Sequence, residues 1–264
     1  MLPSLFLPLL LAASGTAEAD APLPNALASS PLVQDEEVPE EEKRGWEGSI
    51  TAGAIIQTGN TETNNITATG NAIWYGHSKR FTANALWNYQ DDTTGVIQRK
   101  LYGDAQYDHF LTKKLYGYGK GSADNDRQAN LDMRWTLGAG AGYQFRDDDR
   151  WKLAGELGLA YVDEAFNADP LILPDPDNSY LAARIGFNWE YLANQYFVAG
   201  QSAEVFPSLE DGDDIYSRAD TYAQTNLTDS IFVKLQWIWT YDNTPVPGNE
   251  RSDHIYALTI GWTF

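Results

Sequence analysis

The stretch that decides the fold is DHIYALTIGWTF, residues Asp253 to Phe264, at the end of the chain. Along it, apolar and aromatic side chains fall on one face and a mixture of small, aliphatic and hydroxyl side chains falls on the other. The first face carries Tyr256, Leu258, Ile260, Trp262 and Phe264, and the second carries Ile255, Ala257, Thr259, Gly261 and Thr263. A period of two residues predicts a β-strand with two different environments.

The same alternation extends back to Trp46, in segments of roughly ten to fourteen residues separated by clusters of Gly, Asn, Asp and Pro. Such spacing predicts an all-β chain of about twelve strands, and no segment has the period of a helix. The predicted strands are 46–57, 63–76, 80–90, 99–110, 115–124, 132–145, 150–162, 179–192, 195–206, 215–227, 231–241 and 253–264.

The connectors between these strands alternate in length. Those predicted to be short are HSK, LTKK, RDDD, AN and TDS, and those predicted to be long are DDTTGVIQ, NDRQANL, residues 163–178, SLEDGDD and DNTPVPGNERS. Short turns on one side and long loops on the other are typical of an antiparallel up-and-down transmembrane β-barrel. Strands of nine to eleven tilted residues are long enough to cross a bilayer. The sequence therefore predicts an outer-membrane barrel over residues 45–264.

Aromatic residues cluster near both strand ends, as expected for the two interfacial girdles of a membrane barrel. The predicted turn-side girdle is Trp46, Trp74, Phe81, Phe110, Tyr143, Phe145, Trp151, Trp189, Tyr191, Tyr196, Phe197, Phe232, Trp262 and Phe264. The predicted loop-side girdle is Trp87, Tyr89, Tyr102, Tyr161, Tyr180, Phe206, Tyr216, Tyr241 and Tyr256.

Charged residues of both signs recur on the opposite strand face. A basic residue facing lipid at the midplane costs about 2–4 kcal/mol, so we expect these charges to line the lumen. The predicted lining is Asp104, Asp108, Lys120, Arg134, Lys152, Glu156, Arg184, Glu190, Arg218, Asp220 and Lys234. They would either close the bore with salt bridges or line a narrow wet channel, and a count of about twelve strands leaves both open.

The N-terminus has the pattern of an export signal. An apolar run is followed by Ala17-Glu18-Ala19, which predicts a signal peptide over residues 1–19, although its first part has no Lys or Arg. Residues 20–44 include QDEEVPEEEKR and predict a disordered acidic periplasmic leader. After residue 19 no apolar run approaches the roughly 20 residues that a spanning helix needs.

Composition excludes several classes of function. A formal charge of −19 argues against nucleic acid as a partner, because phosphate binding needs clustered Lys and Arg. The chain has no Cys, which excludes disulfides, thiolate metal sites, a cysteine nucleophile and a lipid anchor on cysteine. The spacing of His77, His109 and His254 fits no metal set, and we predict neither metal nor cofactor.

Three stretches resemble the YdiY-like proteins, a family of salt-induced outer-membrane proteins built on a domain of unknown function. They are WEGSITAGAIIQTGNTET at 46–63, QYDHF at 106–110 and DMRWTLGAGAGYQF at 132–145. The resemblance implies location and architecture but no reaction. The C-terminal strip from Tyr256 to Phe264 also resembles the signal that the barrel assembly machinery recognises in outer-membrane barrels.

These observations predict a non-enzymatic envelope protein among outer-membrane lipids and lipopolysaccharide, either a narrow pore for small ions or solutes or a component that responds to osmotic conditions. One alternative is a barrel-embedded lipid hydrolase that uses His254 with Ser252 or Asn249. Another is surface binding through acidic loops, in which EDGDD bridges divalent cations to lipopolysaccharide phosphates. The acidic loop residues are Asp91, Asp92, Asp163, Glu164, Asp169, Asp175, Asp177, Glu210, Asp211, Asp213 and Asp214.

Overall fold

The computed structural model describes residues 45–57, 63–167 and 177–264, and its regular elements in these ranges are β-strands. The predicted signal peptide, with Ala17 and Ala19, and the predicted leader lie outside the described residues. The strands are β1 Gly45–Gln57, β2 Thr63–Gly76, β3 Lys79–Asp92, β4 Gly95–Phe110, β5 Leu115–Asp126, β6 Leu131–Asp147, β7 Trp151–Phe166, β8 Asp177–Asn194, β9 Phe197–Pro207, β10 Ile215–Asn226, β11 Ile231–Asp242 and β12 Ser252–Thr263. Within the described ranges no helix is long and apolar enough to span a membrane.

Each strand pairs antiparallel with its neighbours in sequence, and β1 pairs with β12 to close a twelve-stranded barrel. The predicted fold class is confirmed. The closing seam is short, because it joins only Ser49–Ala52 to Ile260–Thr263. Just beyond it, the backbone N–H of Gly48 donates to the Phe264 carbonyl at 3.1 Å and the Phe264 N–H donates back at 3.0 Å. The last residue therefore completes the closure.

Two of the connectors that were predicted to be long are short, so these two predictions are wrong. Strands β3 and β4 continue into the stretch 91–98, leaving only Thr93 and Thr94 as the turn. The Asp92 carboxylate accepts the Thr94 N–H at 2.7 Å, and Gly95 has a φ of 129°, which favours glycine. Strands β5 and β6 likewise extend until only residues 127–130 join them. In both hairpins, pairing continues past an irregularity in the register, at Gln90 and Asp91 and at Asp124 and Asp126, so the strands extend beyond their predicted ends.

The remaining connectors keep the predicted contrast. On one end of the barrel, called the loop end, residues 208–214 and 243–251 form long connections. Residues 168–176, within the predicted long connector 163–178, lie outside the described residues. On the other, called the turn end, the connectors are 77–78, 111–114, 148–150, 195–196 and 227–230. Both the start of β1 and the end of β12 lie at the turn end.

The two strand faces differ in chemistry throughout the barrel. On β12, Tyr256, Leu258 and Ile260 are 68%, 63% and 57% exposed, whereas Ala257 and Thr259 on the opposite face are buried. The outward positions of the other strands are likewise largely apolar, and the inward positions hold most of the buried charge. The apolar exterior is the surface that hydrocarbon chains would cover.

Several of the girdle assignments are wrong, because the residues face inward and are buried. They are Phe232 of the turn-side girdle and Tyr102, Tyr180, Phe206 and Tyr216 of the loop-side girdle. A Cβ added to Gly261 would lie 2.1 Å from Cζ of Phe232, so this glycine makes room for the ring inside the barrel. Tyr102 and Tyr216 lie under arginine side chains. These rings fill the bore instead of meeting lipid.

Candidate functional site: the charged lumen

The structure places every residue of the predicted lining on the inward face. Eight of them belong to three groups along the barrel axis, and Arg218, Asp220 and Lys234 line a cavity. In the group nearest the turn end, Arg80 donates to Asp108 at 2.7 Å, and both side chains are almost fully buried. The Arg80 guanidinium also lies 5.3 Å and 5.4 Å from the ring centroids of Phe110 and Tyr116. Such pairing compensates part of the desolvation cost of two buried charges.

Two further contacts complete this group. Lys152 lies 3.0 Å from the Glu190 carboxylate. The hydroxyl of Tyr222 donates to the same carboxylate at 2.7 Å. Because Lys152 is on β7, Glu190 on β8 and Tyr222 on β10, the contacts tie together strands that are not all neighbours in the sheet.

The middle group is a network of ion pairs centred on Glu204. Lys120 Nζ lies 2.6 Å from Glu204 and 3.5 Å from Asp104. Arg184 also bonds Glu204, and its Nη1 lies 2.8 Å from Glu156. Lys120 is on β5 and Glu204 on β9, so the pair spans the interior rather than linking adjacent strands.

Neutral donors satisfy the remaining carboxylate oxygens of this middle group. Glu156 accepts from the Gln106 amide at 2.7 Å and from the Tyr116 hydroxyl at 2.8 Å. Asp104 accepts from the Asn84 amide at 3.2 Å. Buried charges are tolerated when their hydrogen-bonding capacity is used in this way.

The third group lies toward the loop end. Arg134 on β6 bonds Glu164 on β7, and its Nη2 lies 2.9 Å from Asp242 on β11. Lys100 Nζ lies 2.7 Å from Asp126. Arg134 also lies 3.9 Å from the ring centroid of Tyr216. The contact with Asp242 crosses the lumen.

Aromatic and aliphatic side chains narrow the lumen between the middle and loop-end groups. The guanidinium of Arg218 on β10 lies 3.7 Å from the ring centroid of Tyr102 on β4. Leu86 and Tyr102 pack with Ile238 and Ile255 in one buried cluster. These four residues come from β3, β4, β11 and β12, which flank the closing seam on one side of the barrel. Strands β4 and β10 lie opposite each other, so the contact of Arg218 with Tyr102 crosses the bore and constricts it there.

A cavity of about 130 Å³ lies beside this constriction. Its charged lining consists of Lys120, Arg184, Arg218, Lys234, Asp104, Glu204 and Asp220. Asp220 accepts two bonds from the Gln236 amide, at 2.8 Å and 2.6 Å. Lys234 Nζ lies 4.9 Å from the ring centroid of Tyr222. The cavity is therefore polar, and basic side chains outnumber acidic ones in its wall.

Sequence reasoning missed several of the interior charges. They are Arg80, Lys100, Asp124, Asp126, Glu164, Glu204 and Asp242. Glu164 and Asp242 had been assigned to long loops, and those assignments are wrong because each bonds Arg134 inside the barrel. Glu204 shares its face with Val198 and Phe206, whose apolar character concealed the inward side of β9.

Of the hydrolase candidates, Ser252 and His254 lie on the outer face of β12, and Asn249 lies in the connector before it. His254 Nδ1 accepts from the Trp237 indole N–H at 3.2 Å. Ser252 Oγ accepts from the Trp239 indole N–H at 2.7 Å. The Asn249 carbonyl oxygen accepts from Asn130 at 3.5 Å. Each of the three candidates therefore accepts a hydrogen bond from a different neighbouring residue.

The acidic residues predicted for the loops are spread over strands and connectors. Asp91 and Asp92 end β3, Asp163 lies in β7 and Asp177 begins β8, while Asp169 and Asp175 lie outside the described residues. In the described ranges no three His, Cys, Asp or Glu side chains are grouped to hold a metal ion. Burial raises the pKa of the Asp214 carboxyl, which accepts from Asn178 at 3.0 Å and from Thr244 at 3.1 Å. Glu210, Asp211 and Asp213 belong to the same connector.

A closed antiparallel barrel with an apolar exterior and a charged interior defines the class of transmembrane β-barrels. Residues 50–264 match the model of the family described as "Protein of unknown function, DUF481". The chain belongs to this family. It is also 26% identical over 248 residues to "Uncharacterized protein YdiY" of Escherichia coli (strain K12), covering 90% of this chain and 91% of that one. The predicted family resemblance is confirmed.

Among solved structures, the chain is similar to the NanC porin, with a TM-score of 0.47 and 9% identity over 82% of this chain and 97% of that one. It is also similar to the translocator domain of the autotransporter NalP from Neisseria meningitidis, with a TM-score of 0.44 and 12% identity over 83% and 86%. For the KdgM porin the TM-score is 0.41 and the identity 7%, over 83% and 99%. Likeness at this level says nothing about what this chain does.

Proposed function

We propose that the protein is a non-enzymatic outer-membrane barrel whose lumen passes small ions or solutes through a constricted route. The observation that carries this proposal is the polar cavity of about 130 Å³ inside a lumen lined by charged side chains. The constriction at Arg218 and Tyr102 limits the route to species that pass when these side chains move apart.

The desolvation cost of the charged interior favours a lumen that conducts solutes, rather than a filled lumen with a purely structural role. Burying ion pairs costs desolvation energy, and apolar side chains of similar volume often fill a protein interior with equal or greater stability. This interior instead contains lumen-spanning pairs such as Lys120 with Glu204 and Arg134 with Asp242. A polar interior is needed where water and solutes enter it.

The proposed location is the outer membrane, and the exterior supports it. Outward residues such as Leu137, Leu157 and Leu258 are 72%, 65% and 63% exposed, which is a costly surface in water and a favourable one in lipid. Export through a signal peptide at residues 1–19, and recognition of the C-terminal strip by the barrel assembly machinery, are parts of the same proposal.

We extend the proposal to a link with salt concentration, which rests on the ion pairs at the loop end. Asp242, which bonds Arg134 at the loop end, keeps 20% of its side chain exposed. Salt screens charges that water reaches, and the screening length falls to about 3 Å at 1 M. High ionic strength would therefore loosen the loop-end pairs and widen the route.

Solute efflux from liposomes tests the proposal. The protein purified from membranes is reconstituted into vesicles loaded with a small dye quencher and a large dextran, and heat-modifiable migration in gels verifies folding. Release of the small solute with retention of dextran is expected. Retention of both by folded, inserted barrels would contradict a solute route.

A further inference from the structure

We infer that the lumen cavity binds a small monoanion, held between Arg218 and Lys234. This inference rests on the proposed route and names the class of solute that it favours. The cavity wall contains the basic residues Lys120, Arg184, Arg218 and Lys234 against the acidic residues Asp104, Glu204 and Asp220. The pairing of these cations, rather than their number, marks the site, because Glu156 also bonds Arg184 from outside this wall.

The pairing pattern distinguishes the cations that have carboxylate partners from those that do not. Lys120 and Arg184 both bond Glu204, and each has a second carboxylate, Asp104 for Lys120 and Glu156 for Arg184. Their charges are thus compensated. Glu204 is also the register partner of Arg218 across β9 and β10, but its carboxylate is turned to Lys120 and Arg184. Arg218 is left without that partner.

Arg218 has hydrogen-bonding capacity that the protein does not use. The residue is 8% exposed, and its Nη1 is buried without a hydrogen-bond partner in the described part of the chain. Its guanidinium is held against Tyr102, which fixes its orientation in the cavity wall. A buried donor without a partner is costly, and a bound anion would satisfy it.

Lys234 supplies the second cation. Its ammonium lies over the Tyr222 ring, and no carboxylate lies within salt-bridge distance of it among the residues that the structure describes. The nearby Asp220 carboxylate is already bonded by Gln236. Asp124 shares its charge with Lys100 at 3.8 Å. In the described part of the chain neither carboxylate forms an ion pair with Arg218 or Lys234, so both cations are available to an anion.

The size of the cavity restricts the anion. An apolar cavity of about 150 Å³ in another protein accommodates benzene, so about 130 Å³ accommodates chloride with water or a carboxylate of a few heavy atoms. Neutral donors and acceptors, including Asn71, Asn84 and Asn188, line the rest of the wall. Phosphorylated sugars and oligosaccharides are too large for it.

Chloride binding to the folded protein in detergent tests the inference directly, through broadening of the ³⁵Cl resonance and its reversal by acetate. Arg218→Gln and Lys234→Gln are expected to weaken binding about tenfold each, because each removes a charged partner of the anion. Arg99→Gln, which removes an exposed charge on the outer face of β4, serves as the matched control. Heat-modifiable migration verifies that each variant folds.

Unchanged broadening in folded Lys234→Gln and Arg218→Gln would overturn the inference. The reversal potential of the current in a potassium chloride gradient distinguishes failure of this inference from failure of the proposed route. Anion binding without conductance supports the site and refutes the route. Conductance that does not favour chloride, and that neither variant alters, supports the route and refutes the site.

Discussion

Lys120 on β5 and Glu204 on β9 face each other across the interior of the barrel, with Lys120 Nζ 2.6 Å from the carboxylate. Arg184 bonds the same carboxylate, so Glu204 is the centre on which two buried cations depend. An interior held together from opposite walls resists collapse and widening alike. It also means that loss of one side chain affects strands far apart in sequence.

Replacing Glu204 with Gln is expected to destabilise the barrel by about 3–5 kcal/mol, because it leaves buried cations with fewer partners. Urea unfolding in lipid vesicles, followed by tryptophan fluorescence, measures the change. The matched control is Glu250→Gln, which alters an exposed carboxylate in the connector before β12. Equal stability of Glu204→Gln and wild type would show that the network contributes nothing.

Gly158→Ala is expected to destabilise the barrel by about 1–3 kcal/mol through overpacking. A Cβ at Gly158 would lie 2.3 Å from the Ala139 carbonyl oxygen and 2.4 Å from the Tyr118 hydroxyl. At Gly121 on β5 the nearest atom would be 3.8 Å away, so Gly121→Ala is the control. The same unfolding midpoint for both variants would contradict the close approach seen at Gly158.

Two changes at Phe264 separate barrel closure from recognition during assembly. Deletion of Phe264 removes both backbone bonds to Gly48, whereas Phe264→Ala keeps them and removes only the ring. We expect the deletion alone to slow refolding in detergent, because it shortens an already short seam. In cells, both changes are expected to reduce the folded fraction in outer-membrane preparations. Normal amounts of folded Phe264→Ala would refute the role of the terminal ring in assembly.

The β6–β7 turn is expected to be sensitive to acid. Hydrogen bonds from the Arg146 side chain and from the backbone N–H groups of Arg150 and Trp151 lower the pKa of Asp148 below its ordinary value of 3.8. A carboxyl with a lowered pKa stabilises the fold above its unfolded pKa, and this stabilisation is lost as the pH falls through its folded pKa.

Asp148→Ala should therefore lower stability at pH 7 and make no difference in acid, once the carboxyl is protonated in both states. Asp229→Ala, in the exposed β10–β11 turn, is the control. Unfolding midpoints at pH 7 and at about pH 2 measure the effect, in a range set by the ordinary carboxyl pKa. An equal deficit at both pH values would assign the effect to turn geometry rather than to the charge.

Strand positions were predictable because alternation is a local property of the sequence. The boundaries of β2 match their prediction, and those of β5 differ only at the end, where pairing continues to Asp126. The errors at 91–98 and 125–131 arose where charged residues continue a strand. Acidic residues close together suggest a loop, yet Asp124 and Asp126 lie on the same lumen-facing side of β5 as Lys120.

The partners inside the lumen were not predictable from the sequence. Contacts such as Lys120 with Glu204 and Arg218 with Tyr102 depend on the tilt and closure of the whole barrel, which no local pattern encodes. The inward rings at Tyr102 and Tyr216, by contrast, were predictable. Each lies two residues from a charge that the sequence places in the lumen, Asp104 and Arg218, and residues two apart on a strand share a face.

Single-channel conductance of the folded protein in planar bilayers, across a potassium chloride series, tests the central claim most directly. A constricted route predicts discrete, small steps that rise more steeply than bulk conductivity as salt loosens the loop-end pairs. Arg218→Ala, which removes the side chain over Tyr102, is expected to enlarge the steps. Silence from demonstrably folded and inserted barrels, in wild type and in Arg218→Ala, would contradict a route through the lumen.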